Sequence, residues 1–497
     1  MLKDIIRNTT KYKFELLLIC LLLPLYLIKH ATSLDWGDDF AGYILQAYHH
    51  NNTAFTPAIE NYLYNPDYFI YAPERYPPFY PFILWIFSRI THSQFSNYAQ
   101  LNTTILLFWA VSVYVFLKRE YKVSALIAAI LLAYFPFIIE LKNEILSDFL
   151  FSFLIIISIL FHKENKNNKN RYFILSGIFA CLAFLTKSLG IFLPITFILI
   201  SIINWQGIKA LLLYYAGFFV CLISGLLLFE WKEFQNLIFF SKIAQHISTY
   251  DALISNMNLY TDLVNYFPIN FSNKYSFLIK WIYASLTTMG LIGVLLSFKK
   301  KSEADLYFRS LFMLIFIFPN SRQGLRYLLP LFPFFIMYIF QGFQAALSNH
   351  EKVKTAFKIT ITAALVIILY KPVISAGLNK KINSSDSLDQ NTTTKPLIDF
   401  LKTTVSENET ICFKKARAIV LYTNKKCFAN NIEHSLSDTQ KEMQKYKPDY
   451  FITGNLDLLY NPALDNFIKT HSLGFDTVFK NSNYTVLKWK KTSTPGL

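Results

Sequence analysis

The chain has 497 residues, of which 53% are hydrophobic and 17% aromatic, whereas only 16% are charged. Its mean hydropathy is +0.32, and apolar runs of about twenty residues, long enough to span a bilayer, recur along it. This composition excludes an ordinary soluble domain and predicts a polytopic membrane protein. The formal net charge of +16 does not indicate a nucleic-acid partner, because the excess Lys and Arg lie in short loops between apolar segments, as the positive-inside rule requires.

The basic loops predict which side of the membrane each connection faces, so the spans between them can be counted. Clusters at Lys118-Arg119, at His162 to Arg171 and at Lys299 to Lys301 are among those that fix the count. About eleven transmembrane helices are predicted in this way. Their ranges are Phe14–Ile28, Leu101–Leu117, Val123–Ile139, Phe149–Phe161, Tyr172–Thr186, Ile191–Ile203, Ala210–Leu228, Phe277–Phe298, Leu306–Phe318, Tyr327–Phe343 and Ala356–Tyr370.

An acidic pair, Asp38 and Asp39, directly follows the first predicted helix. Carboxylates at the edge of a membrane are costly unless they do chemistry or bind something. One hypothesis is a general base that takes the proton from an acceptor hydroxyl as the hydroxyl attacks. The alternative is an N-cap for a helix over Phe40–His50. Both hold if one aspartate caps the helix and the other reacts.

The apolar run Phe79–Ile90 does not fit as a transmembrane span. It follows Pro77-Pro78, it is shorter than a bilayer crossing, and counting it would reverse the side of every later loop. We therefore predict a juxtamembrane helix at the outer surface.

The second outer loop is acidic and contains Glu140, Glu144 and Asp148. Glu144 and Asp148 have the spacing that places two side chains on one helix face. The loop could hold a divalent cation or position a substrate, although the sequence assigns no metal. The alternative is a solvated helix cap formed with Ser147.

Four basic residues on the predicted outer side are candidates for binding a lipid phosphate: Arg75, Lys187, Arg322 and Arg326. Arginine suits this ligand because its planar fork can bind two phosphate oxygens. Snorkelling to the interface is the alternative for Arg322 and Arg326. Two arginines on the outer side, however, run against the charge bias of the other loops.

The tail from Pro372 differs in composition, with short apolar runs between polar, helix-like stretches. We predict a transmembrane domain over residues 1–372 and a small extracytoplasmic α/β domain over residues 373–497. Cys412 and Cys427 lie in this tail, where a strand, helix, strand order would place them on neighbouring strands. The two cysteines either form a disulfide or remain two free thiols.

The cytoplasmic loops are too short for a nucleotide-binding domain, so a donor embedded in the bilayer is the consistent choice. The chain resembles the polyprenyl-phosphate-sugar-dependent glycosyltransferases of the GT-C fold, which include protein O-mannosyltransferases and the lipid A aminoarabinose transferase. The resemblance covers roughly residues 35–333. It depends on the order of the acidic pair, Arg75-Tyr76-Pro77-Pro78, Ser147-Asp148, Leu185-Thr186-Lys187 and Arg326-Tyr327-Leu328-Leu329-Pro330. It implies an inverting sugar transfer in which Asp39, or its neighbour Asp38, is the base.

The sequence thus predicts an all-α polytopic membrane glycosyltransferase with a small α/β domain. Its expected partners are a polyprenyl-phosphate-linked sugar donor, membrane lipids and a protein, lipid or glycan acceptor. The expected location is a bacterial inner membrane, with the active site and the tail domain extracytoplasmic. The alternative function is a transporter or flippase, in which the acidic pair couples to a proton or cation. Transporters usually carry ionisable groups near the bilayer midplane and repeated halves, and neither is predicted here.

Overall fold

The computed structural model describes residues 13–27, 39–49, 58–68, 74–91, 97–121, 123–142, 144–164, 170–203, 208–230, 234, 254, 276–298, 303–317, 324–346, 388, 391–455 and 459–490. Over these residues the chain is a helical bundle followed by a small α/β domain. The helices of the bundle are α1 (Lys13–Leu22), α2 (Asp39–His49), α3 (Phe79–Thr91), α4 (Tyr98–Tyr121), α5 (Val123–Ala133), α6 (Pro136–Leu141), α7 (Asp148–Glu164), α8 (Arg171–Thr186), α9 (Phe192–Ile203), α10 (Ile208–Leu228), α11 (Ser276–Ser297), α12 (Glu303–Ile317) and α13 (Phe332–Ala346).

The observed helices follow the predicted ones closely, with one break and one late start. The predicted helix Val123–Ile139 divides into α5 and α6 at Pro136, which has no backbone N–H and begins the second helix instead. The last part of the bundle starts with a 3₁₀ segment, Gly324–Leu331, before α13. The predicted helix Ala356–Tyr370 lies outside the described residues. The count of about eleven spans therefore stays a prediction.

Within the described part of the chain, three helices are long and apolar enough to cross a membrane: Tyr98–Tyr121, Ile208–Leu228 and Arg326–Ala346. Large apolar side chains on α10, such as Phe219 and Leu227, are exposed, as expected of a lipid-facing surface. Helix α10 also packs against α8, and glycines at this contact let the two helices approach closely. A Cβ on Gly217 would collide with the backbone of Ile174, and one on Gly177 with the backbone of Tyr214.

The C-terminal domain contains the helices α14 (Lys395–Thr404), α15 (Ala416–Thr423), α16 (Leu436–Tyr446) and α17 (Pro462–Thr470), and the strands β1 (Thr410–Cys412), β2 (Lys426–Phe428), β3 (Tyr450–Gly454), β4 (Phe475–Lys480) and β5 (Tyr484–Trp489). The strands form one sheet in the order β2-β1-β3-β5-β4. β1 is parallel to β2 and β3, whereas β5 is antiparallel to β3 and β4. The predicted α/β character of the tail is confirmed.

Cys412 and Cys427 do lie on neighbouring strands, but they form no disulfide. The register pairs Cys412 with Phe428 and Cys427 with Ile411, so the two cysteines are one residue out of step. Because side chains alternate along a strand, their thiols belong to apolar clusters on opposite faces of the sheet. The disulfide alternative is wrong for this reason.

A segment between α2 and α3, residues 58–68, holds the C-terminal domain against the bundle, and we call it the docking segment. It extends the sheet at β2, where Tyr62 pairs with Cys427 and the Leu63 N–H donates to the Cys427 carbonyl over 2.9 Å. The Asn65 amide donates to the Glu442 carboxylate over 2.6 Å. These bonds fix α15 beside α2, at the end of the bundle where the predicted site residues lie.

Candidate active site

Helix α2 presents one polar face at the end of the bundle. Its polar members are Asp39, Tyr43 and Gln46, and Gly42 lies among them. The four residues are spaced i, i+3, i+4 and i+7, which is the repeat of a single helix face. Gln46 binds both backbone groups of Tyr76: its Nε2 donates to the carbonyl over 2.8 Å, and its Oε1 accepts from the N–H over 2.9 Å. The Tyr43 ring stacks on the Tyr76 ring, with 4.1 Å between ring centroids. This face therefore fixes the Tyr76 side chain over Asp39.

The Asp39 carboxylate is the centre of the site. Its Oδ1 accepts a hydrogen bond from the Tyr76 hydroxyl over 2.8 Å. Its Oδ2 accepts from both terminal nitrogens of Arg326, each over 3.1 Å. The Asp39 side chain remains 28% exposed. Residues from opposite ends of the bundle sequence thus meet at one carboxylate that solvent can still reach.

A second carboxylate, Asp148, lies on the other side of Arg326. Asp148 is the first residue of α7, a position where the helix dipole favours an acid. Its Oδ1 accepts from the Lys187 Nζ over 2.5 Å, and its Oδ2 lies 3.7 Å from the Arg326 Nε. Lys187 follows directly on α8 and lies over the Tyr327 ring, 5.0 Å from its centroid. Asp39, Arg326, Asp148 and Lys187 thus form one chain of alternating charges.

The C-terminal domain adds a third cation to this chain. Arg417, in the first turn of α15, donates from Nη1 to the Tyr76 hydroxyl over 2.9 Å. Its Nη2 lies 3.8 Å from the Asp39 Oδ1, and the side chain is 2% exposed. Tyr76 therefore accepts from Arg417 and donates to Asp39.

The electrostatics of the site favour an ionised Asp39. Burial alone would raise the pKa of the Asp39 carboxyl, but the charges of Arg326 and Arg417 and the Tyr76 hydrogen bond outweigh it and hold the pKa below its ordinary value. Burial lowers the pKa of Lys187, an effect that its attraction to Asp148 opposes. Burial also raises the pKa of Tyr76 well above its ordinary value, so Tyr76 keeps its proton and acts as a donor toward Asp39.

Two other residues that the sequence predicted for the site, Arg75 and Glu144, lie outside this cluster of charged residues. Arg75 is buried and lies 3.6 Å from the Glu60 carboxylate. Glu144 precedes α7 in a bend, where its carbonyl accepts a hydrogen bond from Asn102. The expectation that Glu144 and Asp148 share a helix face is wrong, because the helix begins only at Asp148.

Some predicted members lie outside the described part of the chain. Asp38 and Arg322 are not among the described residues, and the same holds for the side chain of Glu140. Within the described residues, no three His, Cys, Asp or Glu side chains are grouped so that they could hold a metal ion. Asp39 and Asp148 instead have cations as neighbours. A divalent cation stays a prediction of the sequence.

Sequence reasoning gave no role to Tyr76 or Arg417. Tyr76 lies within one of the motifs used for the family resemblance, and the polar i, i+3, i+4, i+7 face of α2 was a signal that this helix has a specific partner. Arg417 had no such signal. It is separated from Asp39 by most of the chain, and only the docking of the C-terminal domain brings the two together.

Comparisons with known proteins agree with this fold. Residues 75–229 match the family model of the dolichyl-phosphate-mannose-protein mannosyltransferases. This range contains Tyr76, Asp148 and Lys187 but neither Asp39 nor Arg326. No curated protein sequence is significantly similar to the chain.

Solved membrane enzymes share the architecture at low sequence identity. The apo oligosaccharyltransferase of Archaeoglobus fulgidus matches with a TM-score of 0.56 and 13% identity, over 89% of this chain and 70% of that one. ArnT from Cupriavidus metallidurans, bound to undecaprenyl phosphate, matches with a TM-score of 0.52 and 12% identity, over 96% of this chain and 98% of that one. The chain therefore has the GT-C fold of membrane glycosyltransferases, as the order of its motifs predicted.

Proposed function

We propose that this protein is an integral membrane glycosyltransferase that moves a sugar from a polyprenyl-phosphate carrier to an acceptor hydroxyl, with inversion at the anomeric carbon. The site and the C-terminal domain face the extracytoplasmic side of a bacterial inner membrane. The acceptor is a protein, lipid or glycan. Support for a lipid-linked donor comes from the similar ArnT structure, which holds undecaprenyl phosphate.

The observation that carries this proposal is the meeting of Asp39 and Arg326 in one partly exposed cluster. Among the described residues, three cations of the cluster, Arg326, Lys187 and Arg417, surround two carboxylates, Asp39 and Asp148. The surplus of positive charge suits an anionic ligand such as a lipid phosphate. The exposed part of Asp39 leaves room for an acceptor hydroxyl at the carboxylate.

The transfer needs one proton acceptor and one stabiliser of the leaving group. Asp39 takes the proton of the acceptor hydroxyl as the oxygen forms its bond to the anomeric carbon. The bond from that carbon to the phosphate oxygen breaks on the opposite face, and its electron pair leaves with the polyprenyl phosphate. Arg326 and Lys187 stabilise the charge that develops on the phosphate. Attack from the opposite face inverts the configuration.

Arg326 links the two halves of this mechanism. Arg326 donates two hydrogen bonds to Asp39, and these bonds make the carboxylate a weak base. A donor phosphate that draws Arg326 toward itself removes these bonds and raises the proton affinity of Asp39. The base is therefore strengthened when the donor is in place.

The positions of the charged residues also bear on the transporter alternative. Asp39 and Asp148 each begin a helix, Lys187 follows the last residue of another, and Arg326 lies in the short segment that leads into α13. The ends of helices that are predicted to span the membrane, such as α7 and α8, are expected at the membrane surface, whereas coupling residues of transporters usually lie near the midplane. The placement favours an interfacial enzyme.

Reconstituted vesicles test the two functions against each other. The purified protein is supplied with a panel of undecaprenyl-phosphate hexoses and pentoses that are labelled in the lipid, together with a membrane extract as the source of acceptor. We expect release of free labelled undecaprenyl phosphate in the presence of at least one donor. Movement of intact lipid-linked sugar across the bilayer, without release, would overturn the enzyme proposal. Mass spectrometry of surface glycans in a deletion strain identifies the sugar and the acceptor.

A further inference from the structure

Arg417 is a buried charge whose surroundings belong largely to another domain. It is part of the C-terminal domain, yet its guanidinium lies between the Tyr62 and Tyr76 rings, 5.8 Å and 5.2 Å from their centroids, and bonds to the Tyr76 hydroxyl. Its side chain is 2% exposed, and the carboxylate it faces is Asp39. Burying an arginine is unfavourable unless it is paired, so the fold needs this contact to offset the loss of hydration.

Residues of α2 and of the docking segment fit around the Arg417 guanidinium. Gly42 lies one turn after Asp39, and a Cβ at this position would lie 2.6 Å from the Tyr76 ring and 2.8 Å from the Arg417 Nη1. Only glycine leaves room for both groups at this point of α2. The docking segment holds the other side, because Tyr62 belongs to it and also pairs with β2.

We propose that Arg417 is a positioning residue for sugar transfer, a cation that the C-terminal domain inserts into the site of the membrane domain to orient Asp39 through the Tyr76 hydroxyl. The inference rests on the proposed role of Asp39. Its consequence is that the site is incomplete until the C-terminal domain has docked, so transfer depends on both domains.

The positioning role of Arg417 can be measured through the pKa of Asp39, because several charged residues lie near that carboxylate. Arg326 and Arg417 both face the carboxylate, and Asp148 and Lys187 lie beyond Arg326. Removal of the Arg417 charge raises the pKa of Asp39, because one of the two nearby cations is lost. Since the base must be ionised, the acid limb of the pH–rate profile then moves to higher pH.

The test compares Arg417→Met and Arg417→Lys with Lys402→Met, which removes an exposed cation from the same domain. For Arg417→Met we expect kcat to fall about 10²-fold with little change in KM for the donor, and the acid limb to rise by about one pH unit. Arg417→Lys keeps the charge, so its acid limb stays near that of the parent while kcat recovers in part. Lys402→Met changes neither. An Arg417→Met protein with a parental acid limb would overturn the proposal.

A second measurement does not depend on turnover. Thermal unfolding is followed in detergent for Arg417→Met, Asp39→Asn and the double variant. We expect the two losses of stability to be less than additive, because each change removes the same interaction, whereas Lys402→Met and Asp39→Asn are additive. Additivity for Arg417 and Asp39 contradicts the proposal even if no donor is turned over. A wild-type protein that releases no undecaprenyl phosphate while the coupling is present contradicts the proposed function instead.

Discussion

At the scale of single residues, Arg326 joins the two carboxylates of the site. Two of its nitrogens bind Asp39, and the third lies near Asp148. A lysine at this position has the same charge but cannot reach both acids at once, because its ammonium is a single point of donation. The fork of Arg326, and not only its charge, is thus the property that the site uses.

We therefore expect Arg326→Lys to lower kcat/KM for the lipid-linked donor by about 10²-fold, as for the loss of one preorganised donor in other enzymes. The assay is release of labelled undecaprenyl phosphate in vesicles. Arg89→Lys, at an exposed arginine in the last turn of α3, is the matched control and should be indistinguishable from the parent. Parental activity of Arg326→Lys would mean that charge alone is sufficient.

The sequence drew attention to residues whose charge was unexpected for their surroundings, and the fold brings two of them, Asp39 and Arg326, into contact. Their roles stay predictions. Asp39 follows a predicted membrane helix, and Arg326 runs against the charge bias of the predicted loops, so each attracted attention by itself. Tyr76 and Arg417 did not, because a tyrosine in an aromatic chain and an arginine in a soluble domain are ordinary. Their roles come from tertiary contacts, which no local pattern encodes.

At the scale of elements, the docking segment is the connection that delivers α15 to the site. Asn424 ends α15 in the left-handed region, with φ at 55°, and its side chain accepts from the Ala58 N–H over 2.8 Å and from the Asn61 amide over 2.9 Å. Asparagine suits both tasks, since it tolerates this conformation and offers an acceptor.

We expect Asn424→Ala to destabilise the protein by about 1–3 kcal/mol, because it loses the docking bonds and strains the backbone. Asn424→Gly loses the same bonds without the strain and should be less destabilised. Lys447→Gly, at the other left-handed residue of the described chain, relieves strain and removes no docking bond. Thermal unfolding in detergent should therefore rank Lys447→Gly highest and Asn424→Ala lowest. Equal midpoints for the two Asn424 variants would contradict the role of backbone strain.

The elements themselves were largely predictable, since apolar runs and basic flanks determine where membrane helices begin and end. A helix forms after Pro77-Pro78 over Phe79–Thr91, close to the predicted range, and its juxtamembrane position stays a prediction. Errors occurred where a local rule competed with the pattern, as at Pro136, or where polar residues outside a helix mimicked its spacing, as at Glu144. The docking segment was not predicted, because its pairing with β2 depends on a partner far along the chain.

At the scale of the whole molecule, the bundle and the C-terminal domain contribute to one site. The resemblance of the motifs predicted the GT-C fold, and the helical architecture bears it out. The boundary at residues 372 and 373 and the extracytoplasmic orientation stay predictions. Convergence of the site in three dimensions required the fold, since α2, α7, the end of α8, the segment before α13 and α15 each supply one charged group.

The most direct test of the account is single-turnover release of undecaprenyl phosphate by Asp39→Asn in membranes, with the donor found active in the vesicle panel. Asparagine keeps the shape of Asp39 but cannot accept the proton, so we expect a rate about 10²- to 10⁴-fold below the parent. Asp438→Asn, at an exposed aspartate of the C-terminal domain, is the control and should retain the parental rate. If normally inserted Asp39→Asn turns over at the parental rate, Asp39 is not the base and the proposed mechanism is wrong.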